Sequence, residues 1–469
     1  METHRFGTTT IHWDPVRGRG LRTNGPLTPG HRAAVARWGD VDALSGVWVR
    51  HRAAITVPGG IWAPVAAEAG SGGHAYRLIP LTPDELAVLD AVNDRRRGTD
   101  LLERVAVPSR TIRALAARLT AFDVGALQLW PTPPARIGPG LRRVLGAHRP
   151  ANDRTADQYD SAGRTSLTAY HEDAIVDGAT HFDDRETTVA HAFGVAHPAF
   201  DGQRYGERLR AVLGARGWPV DGPVLECGCG TGELAAAWGP PTSGRYLRID
   251  LSPELLRVQA AAAPWSQGRQ ADLTALPLDD ASVPLLICNE VLADLAAVPV
   301  DADDPTTAAL RERYGIAPVP AGFYNPGAWR AIQEAARVLA PGGRALFTEF
   351  GVVEGPAEEA TQLDHPEVGI HFGHLVRIGR ELGLEVHLER LDDLLQPRAD
   401  ATWLARHSWR ALRSWARSKD VRLSARAWTP DTLATALPGA VGGLEWVGVL
   451  DDGPGPLMTR FFALSLRKP

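Results

Sequence analysis

The segment Val224-Leu225-Glu226-Cys227-Gly228-Cys229-Gly230-Thr231-Gly232-Glu233-Leu234 constrains the fold of this 469-residue chain more than any other. Its apolar start predicts a strand, its alternate glycines a sharp turn, and a helix is expected from about Glu233. Glycines at such a junction, lacking Cβ, let the backbone turn tightly and approach a ligand closely. A dinucleotide fingerprint would place its third glycine where this chain has Glu233. Helix N-termini attract phosphate, yet Glu226 sets a carboxylate beside the loop, where it would repel a pyrophosphate. The pattern E-x-G-x-G-x-G therefore favours a nucleotide-derived ligand that carries positive charge and no phosphate.

Further landmarks follow in order. Arg245 to Ile249 predicts a second strand ending at Asp250, about 20 positions beyond the glycines, where a carboxylate can meet ribose hydroxyls. Ser252-Pro253-Glu254 reads as a helix start, with Ser252 as the cap and Pro253 in the first turn. Ala271-Asp272-Leu273 precedes Leu276-Pro277, and Pro284 to Cys288 predicts a buried strand ending in Asn289-Glu290. Ala335 to Phe347 reads as a helix, a Pro-Gly-Gly turn and another strand. Together these resemble class I S-adenosylmethionine-dependent methyltransferases, the glycine loop being similar to their motif I. The resemblance implies an α/β fold with a seven-stranded Rossmann-like sheet whose last strand is antiparallel. It implies S-adenosylmethionine as cofactor, bound by Glu226, Gly228, Gly230, Gly232, Asp250, Leu251, Asp272, Leu273 and Asn289, with Asp272 at the adenine amino group.

Composition narrows the setting. The formal charge of −5 offers no pull on nucleic acid or membrane. No apolar run approaches the ~18 residues a spanning helix needs, and the N-terminus lacks a signal peptide's apolar stretch. Three cysteines, Cys227, Cys229 and Cys288, fit a reducing cytoplasm and read as small buried fillers, not metal ligands. Only Lys419 and Lys468 are lysines among 50 basic residues, a skew of composition that marks no nucleic-acid binder.

Three regions are expected. Residues 1–135 contain short strands (Val47-Trp48-Val49, Ile55-Thr56-Val57), a helix opened by Thr82-Pro83-Asp84-Glu85, a second from Ser109 to Thr120, and a strand over Ala126 to Trp130. This order resembles a winged helix and the PqqD-like peptide-binding modules of ribosomal-peptide maturation, and suits substrate docking or dimerisation. Residues 136–215 form a helical connector and cap, in which Tyr159-Asp160-Ser161 and Tyr170 to Asp177 resemble the helix preceding the core of protein arginine methyltransferases. Residues 216–469 form the methyltransferase domain with an insertion at about 352–443; Leu444 to Leu450 and Thr459 to Leu466 are expected as its sixth and seventh strands. Asn289 to Leu295 is also loosely similar to the complex-I-assembly arginine methyltransferases.

Methyl transfer asks the protein chiefly for proximity and alignment of the acceptor. Asn289, Glu290 and Asp294, after the fourth strand, are the expected catalytic groups, with Glu349 ending the fifth. Carboxylates suit a guanidinium, and both arginine-enzyme resemblances favour an arginine acceptor on a peptide or protein. Those enzymes carry a second glutamate about ten residues on, where this chain reads Val298-Pro299-Val300-Asp301. Among the histidines, His171 is the expected base, since its segment would lie across the cleft; His371 and His374 share a helical face. No metal is expected. The alternatives are O-methylation of a small secondary metabolite and a non-catalytic assembly factor, which the intact loop argues against.

Overall fold

The structure, a computed structural model, describes residues 2–6, 9–14, 19–23, 43–50, 54–65, 75–92, 96–119, 126–130, 188–357, 359–362, 365–437, 439, 441–450 and 461–469. The chain divides into two compact units, one of Met1–His148, Trp403–Leu423 and Trp428–Val447, the other of Arg149–Thr402, Ser424–Ala427 and Gly448–Pro469.

The second unit is built on one twisted sheet. Its strands are β1 (Val224–Cys227), β2 (Tyr246–Asp250), β3 (Gln267–Gln270), β4 (Val283–Asn289), β5 (Leu339–Val352), β6 (Glu385–Arg390) and β7 (Phe461–Arg467). Their order is β3-β2-β1-β4-β5-β7-β6, and the two-residue strand Ile370–His371 also pairs with β5. β1 to β5 run parallel, and β7 enters antiparallel between β5 and β6. This is the α/β sheet expected from the sequence.

Parallel strands buried on both faces should be almost continuously apolar, as Leu285-Leu286-Ile287-Cys288 is, each fully buried. Leu225, Cys227, Leu286, Cys288 and Phe347 join one core with Trp329, Ile332, Phe372, Leu375 and Ile378. Those last five come from α6 (Pro326–Val338) and α7 (Phe372–Glu381). Alternate residues such as Leu285, Ile287 and Leu346 face the other way and are equally buried. Other helices of this unit are α1 (Val189–Ala192), α2 (Tyr205–Ala215), α3 (Glu233–Trp238), α4 (Pro253–Ala262) and α5 (Pro305–Tyr314), with a short one at Leu391–Leu395 after β6. Pro341-Gly342-Gly343 is accommodated where the register jumps from Val283↔Leu339 to Leu285↔Arg344.

One element of the expected sheet lies elsewhere. The sixth strand is Glu385–Arg390, whereas Trp446–Gly448 belongs to a separate two-stranded sheet. Both stretches are short and partly apolar, so hydrophobicity alone does not rank them. β6 wins by full antiparallel register with β7, from Glu385↔Arg467 to Arg390↔Phe462. The long excursion of the chain therefore falls between β6 and β7.

The first unit has its own core, where Trp48, Ile61, Val88, Leu89, Leu101, Ile112, Leu115 and Leu119 meet. Helix Pro83–Ala91 starts as its sequence predicts, with Thr82 and Glu85 forming a reciprocal capping box. Ser109–Leu119 and Leu127–Trp130 form as expected, and Gly98–Arg104 adds a third helix between Pro83–Ala91 and Ser109–Leu119. Trp409 and Trp415, on helix Arg406–Arg417, are buried. Among the described residues no helix is long and apolar enough to cross a membrane.

Truncating Leu286, fully buried in the central strand, is expected to cost about 2–5 kcal/mol through lost transfer energy and cavity formation. Breaking the exposed Arg467–Glu385 pair should cost only about 0–1 kcal/mol. Denaturant midpoints of Leu286→Ala and Arg467→Ala check this ordering.

Candidate functional site

Gly228, Gly230 and Gly232 all adopt positive φ, at 65°, 50° and 83°, so each occupies backbone space that side chains disfavour. At Gly228 a Cβ would also lie 2.2 Å from Val291 Cγ2. Gly228 N–H donates to Ile249 O at 2.7 Å, anchoring the start of the turn to β2. Gly232 caps α3 from behind, where its Cβ would press on Gln259 and Ala262 of α4.

A buried polar network holds the turn. Asp250 Oδ2 accepts the Cys229 N–H at 3.0 Å and Gln259 Nε2–H at 2.9 Å, while Oδ1 accepts Ser252 N–H at 3.0 Å. Gln259 Nε2 also donates to Gly230 O at 2.9 Å, and its Oε1 accepts Arg248 Nη1–H at 2.8 Å. Arg248 is nearly sealed from solvent and donates from Nε to Ser266 Oγ at 2.6 Å. Buried charges persist only when partnered in this way. Glu226 accepts Tyr246 O–H at 2.8 Å. Burial raises its carboxyl to about 8; Asp250 adds to the rise, and the Tyr246 hydrogen bond and Arg248 charge oppose it.

At the end of β4, Asn289 Oδ1 accepts Tyr205 O–H at 2.5 Å and Thr348 Oγ1–H at 2.9 Å. Its Nδ2 donates to Glu290 Oε1 at 3.0 Å, and that same oxygen accepts Val189 N–H at 2.8 Å. Glu290 thus fastens the first turn of α1, from a backbone φ of 57° that costs of order 1–3 kcal/mol. Arg426 secures α1 further, donating to His191 O at 2.5 Å and pairing with Glu233, while Ala427 N–H donates to Ala192 O at 2.7 Å. Glu349 is buried beside this region, and desolvation first, then the charges of Glu367 and Glu290, push it well above the usual carboxylate range.

These elements enclose a cavity of about 220 Å³ at the C-terminal ends of β1, β2 and β4. In the sheet order β3-β2-β1-β4-β5 this is the switch point, where α/β sheets place ligands. Of the residues expected from sequence, Glu226, Gly228, Gly230, Asp250, Leu251, Asp272, Leu273, Asn289, Glu290 and Asp294 line it. Gly232 lies behind it as the cap of α3. His171 lies outside the described residues, as do Tyr159 to Ser161 and Tyr170 to Asp177. Asp272 caps its turn by accepting Thr274 N–H at 2.7 Å. Thr188, Ala190, His191, Thr231, Gly327 and Arg330 also line the cavity. Sequence reasoning assigned these no role: Thr231 stands between two loop glycines with nothing to single it out, and no local pattern connects α1 and its cap Thr188, or a turn of α6, to that loop.

Among the described residues, His197, His371 and His374 do not line the cavity. His371 and His374 stack at 3.6 Å, with His374 N–H donating to His371 Nδ1, and Trp329 meets His374 edge-on. Burial holds His374 near 3 and His197 near 4, so both are neutral. All three cysteines are free and buried.

Residues 225–313 match the family described as a methyltransferase domain. The chain is 31% identical over 175 residues to malonyl-[acyl-carrier protein] O-methyltransferase of Methylococcus capsulatus, covering 35% of this chain and 51% of the relative. The chain thus spans about half the length of that curated relative. A Burkholderia thailandensis protein crystallised with S-adenosyl-homocysteine is similar at 16% identity and TM-score 0.37, over 68% of this chain and 94% of that one. An S-adenosylmethionine-dependent methyltransferase from Mesorhizobium loti is similar at 18% identity and TM-score 0.29, over 55% and 95%.

Two expectations follow. Glu226 titrates near 4.5 when unfolded and about 8 when folded, so its folding contribution falls as pH rises between those values. A cationic cofactor favours the ionised form, so S-adenosylmethionine should bind more tightly, with proton release, as pH rises toward about 8. Calorimetry in buffers of different ionisation heat checks this, and Glu226→Gln should flatten the dependence. Glu290→Gln, which keeps an acceptor for Val189 N–H, should retain most cofactor affinity, whereas Glu290→Ala should weaken it by about 1–3 kcal/mol; titration with S-adenosyl-homocysteine reads the difference.

Proposed function

We propose that this chain, which carries a class I S-adenosylmethionine-dependent methyltransferase domain, transfers the methyl group of S-adenosylmethionine to an oxygen of a small-molecule acceptor. The cavity suits that cofactor. At Gly228 the positive φ and the packed Val291 leave no room for a side chain, and the loop is held from behind by Asp250 and Gln259. Glu226, Leu251, Asp272 and Leu273 would hold the cofactor, the carboxylates facing its cationic and adenine portions and the leucines its apolar face. The cofactor supplies an electrophilic methyl group. The protein's own work is to exclude water with α1 and align the acceptor. α1 fits the cap expected within residues 136–215 and its neighbourhood, and residues 1–135 suit acceptor docking or self-association.

The observation that carries oxygen over arginine nitrogen is the engagement of the Glu290 carboxylate and its neighbour Asn289 after β4. A guanidinium stays protonated when free and needs carboxylates able to hold its charge. Glu290 Oε1 is directed to Val189 and Asn289, and Asn289 Oδ1 to Tyr205 and Thr348. The partial likeness to an O-methyltransferase supports the same reading.

The test is binding followed by transfer. Calorimetry with S-adenosyl-homocysteine should show a 1:1 complex that Gly228→Ala abolishes. Methyl-labelled S-adenosylmethionine should then label small organic acceptors and leave arginine-containing peptides unlabelled. Label on arginine would reverse the choice of acceptor; binding without any turnover would favour an assembly factor.

A further inference from the structure

We infer that the reacting group of the acceptor is a carboxylate and that Arg330 holds it, an inference that rests on the methyltransferase reading above. Gly327 and Arg330 lie one turn apart on α6 and both line the cavity. Between and beyond them Ala328, Trp329, Ala331 and Ile332 are fully buried, which fixes the helix. Gly327 N–H donates to Ala296 O at 2.9 Å, and a Cβ there would lie 2.6 Å from Ala296 N. The rim formed by Asp294 to Ala296 is therefore locked against α6, and Arg330 stands at a fixed place beside it.

Arg330 is the one arginine or lysine among the described residues that line the cavity, and its side chain is exposed. Among the described residues it makes no hydrogen bond or ion pair; its charge is felt at fully exposed Asp304, after the stronger hydrogen bonds from Thr307. Five of the acidic groups that line the cavity have internal duties, Asp272 among them as the acceptor of Thr274 N–H. Glu226 serves Tyr246, Glu233 serves Arg426, Asp250 serves Cys229, Ser252 and Gln259, and Glu290 serves Val189. His191 Nδ1 lies 3.4 Å from Thr231 Oγ1.

The chemistry follows from that division of duties. A hydroxyl acceptor must lose a proton to a base as it reacts. A carboxylate, ionised above about pH 4–5, brings its own lone pair. A guanidinium orients such a group through its planar fork and offsets the repulsion of the acidic walls. The acceptor oxygen's lone pair forms the new O–CH3 bond as the C–S bond of the sulfonium breaks, the bonding pair stays on sulfur, and no proton is released. The acceptor class is a carboxylic acid, free or at the end of an acyl chain.

Methyl-labelled S-adenosylmethionine with malonyl-coenzyme A or glutarate, and acetyl-coenzyme A as the carboxyl-free control, tests this directly. Label should be released as methanol by mild base, and only from the two acids. Arg330→Ala should lower kcat/KM for the acid by at least about tenfold, Arg330→Lys should recover part of it, and S-adenosyl-homocysteine affinity should be unchanged in both. At saturating cofactor the rate should lack the rising limb near pH ~6.5 that a histidine base would impose. Base-stable label, no base-labile label from either acid, or an Arg330→Ala enzyme as fast as wild type overturns the inference. Failure of the wild-type protein to bind S-adenosyl-homocysteine overturns the methyltransferase reading instead.

Discussion

The carboxylate of Asp250 is the point through which the site is assembled. It sits where β2 ends, and its two oxygens reach the turn after β1 through Cys229 N–H, the start of α4 through Ser252 N–H, and the middle of α4 through Gln259. One side chain therefore ties together two strand ends and a helix. Gln259 extends the tie to Gly230 O and to Arg248. An acid so placed fixes a loop that glycine alone would leave mobile, since glycine loses more conformational freedom on ordering than any other residue. The geometry of the cavity depends on this fixed loop, because α3 and the floor of the cleft both begin there.

A second chain of hydrogen bonds organises the opposite wall. Tyr205, Asn289, Glu290 and Val189 are joined in sequence, linking α2 to β4 and β4 to α1. A buried polar network is stable when every member is satisfied, and these groups satisfy each other. The same satisfaction changes what they do chemically. Asn289 and Glu290 have the residue types and position of reacting groups, and their hydrogen bonds also tie β4 to α2 and α1. Arg330 differs from these groups in making no hydrogen bond or ion pair among the described residues.

The legible parts of this protein were those written locally. The strand–glycine–helix pattern at 224–234, the cap at Ser252 and the apolar run before Asn289 each needed only neighbouring residues, and each formed where expected. Ten of the expected site residues line one cavity for the same reason, since they all lie at strand ends or in the turns that follow. The sixth strand was misplaced because its claim rests on pairing with β7 across a long excursion of the chain. Arg248 was read as one residue of an ordinary strand, and nothing nearby in sequence announces that Gln259 and Ser266 would be there to receive its charge.

By itself, then, the sequence determined the class of fold, the glycine turn and the set of strand-end residues, because short-range backbone preferences and period-two burial suffice for these. Tertiary structure alone decided which of those residues are free to act. Whether Glu290 meets an acceptor or the Val189 N–H depends on α1, about 100 positions earlier in the chain, folding back over β4. Hydrogen-bond capacity is finite, so a partner brought from far away removes chemistry that residue identity alone would allow.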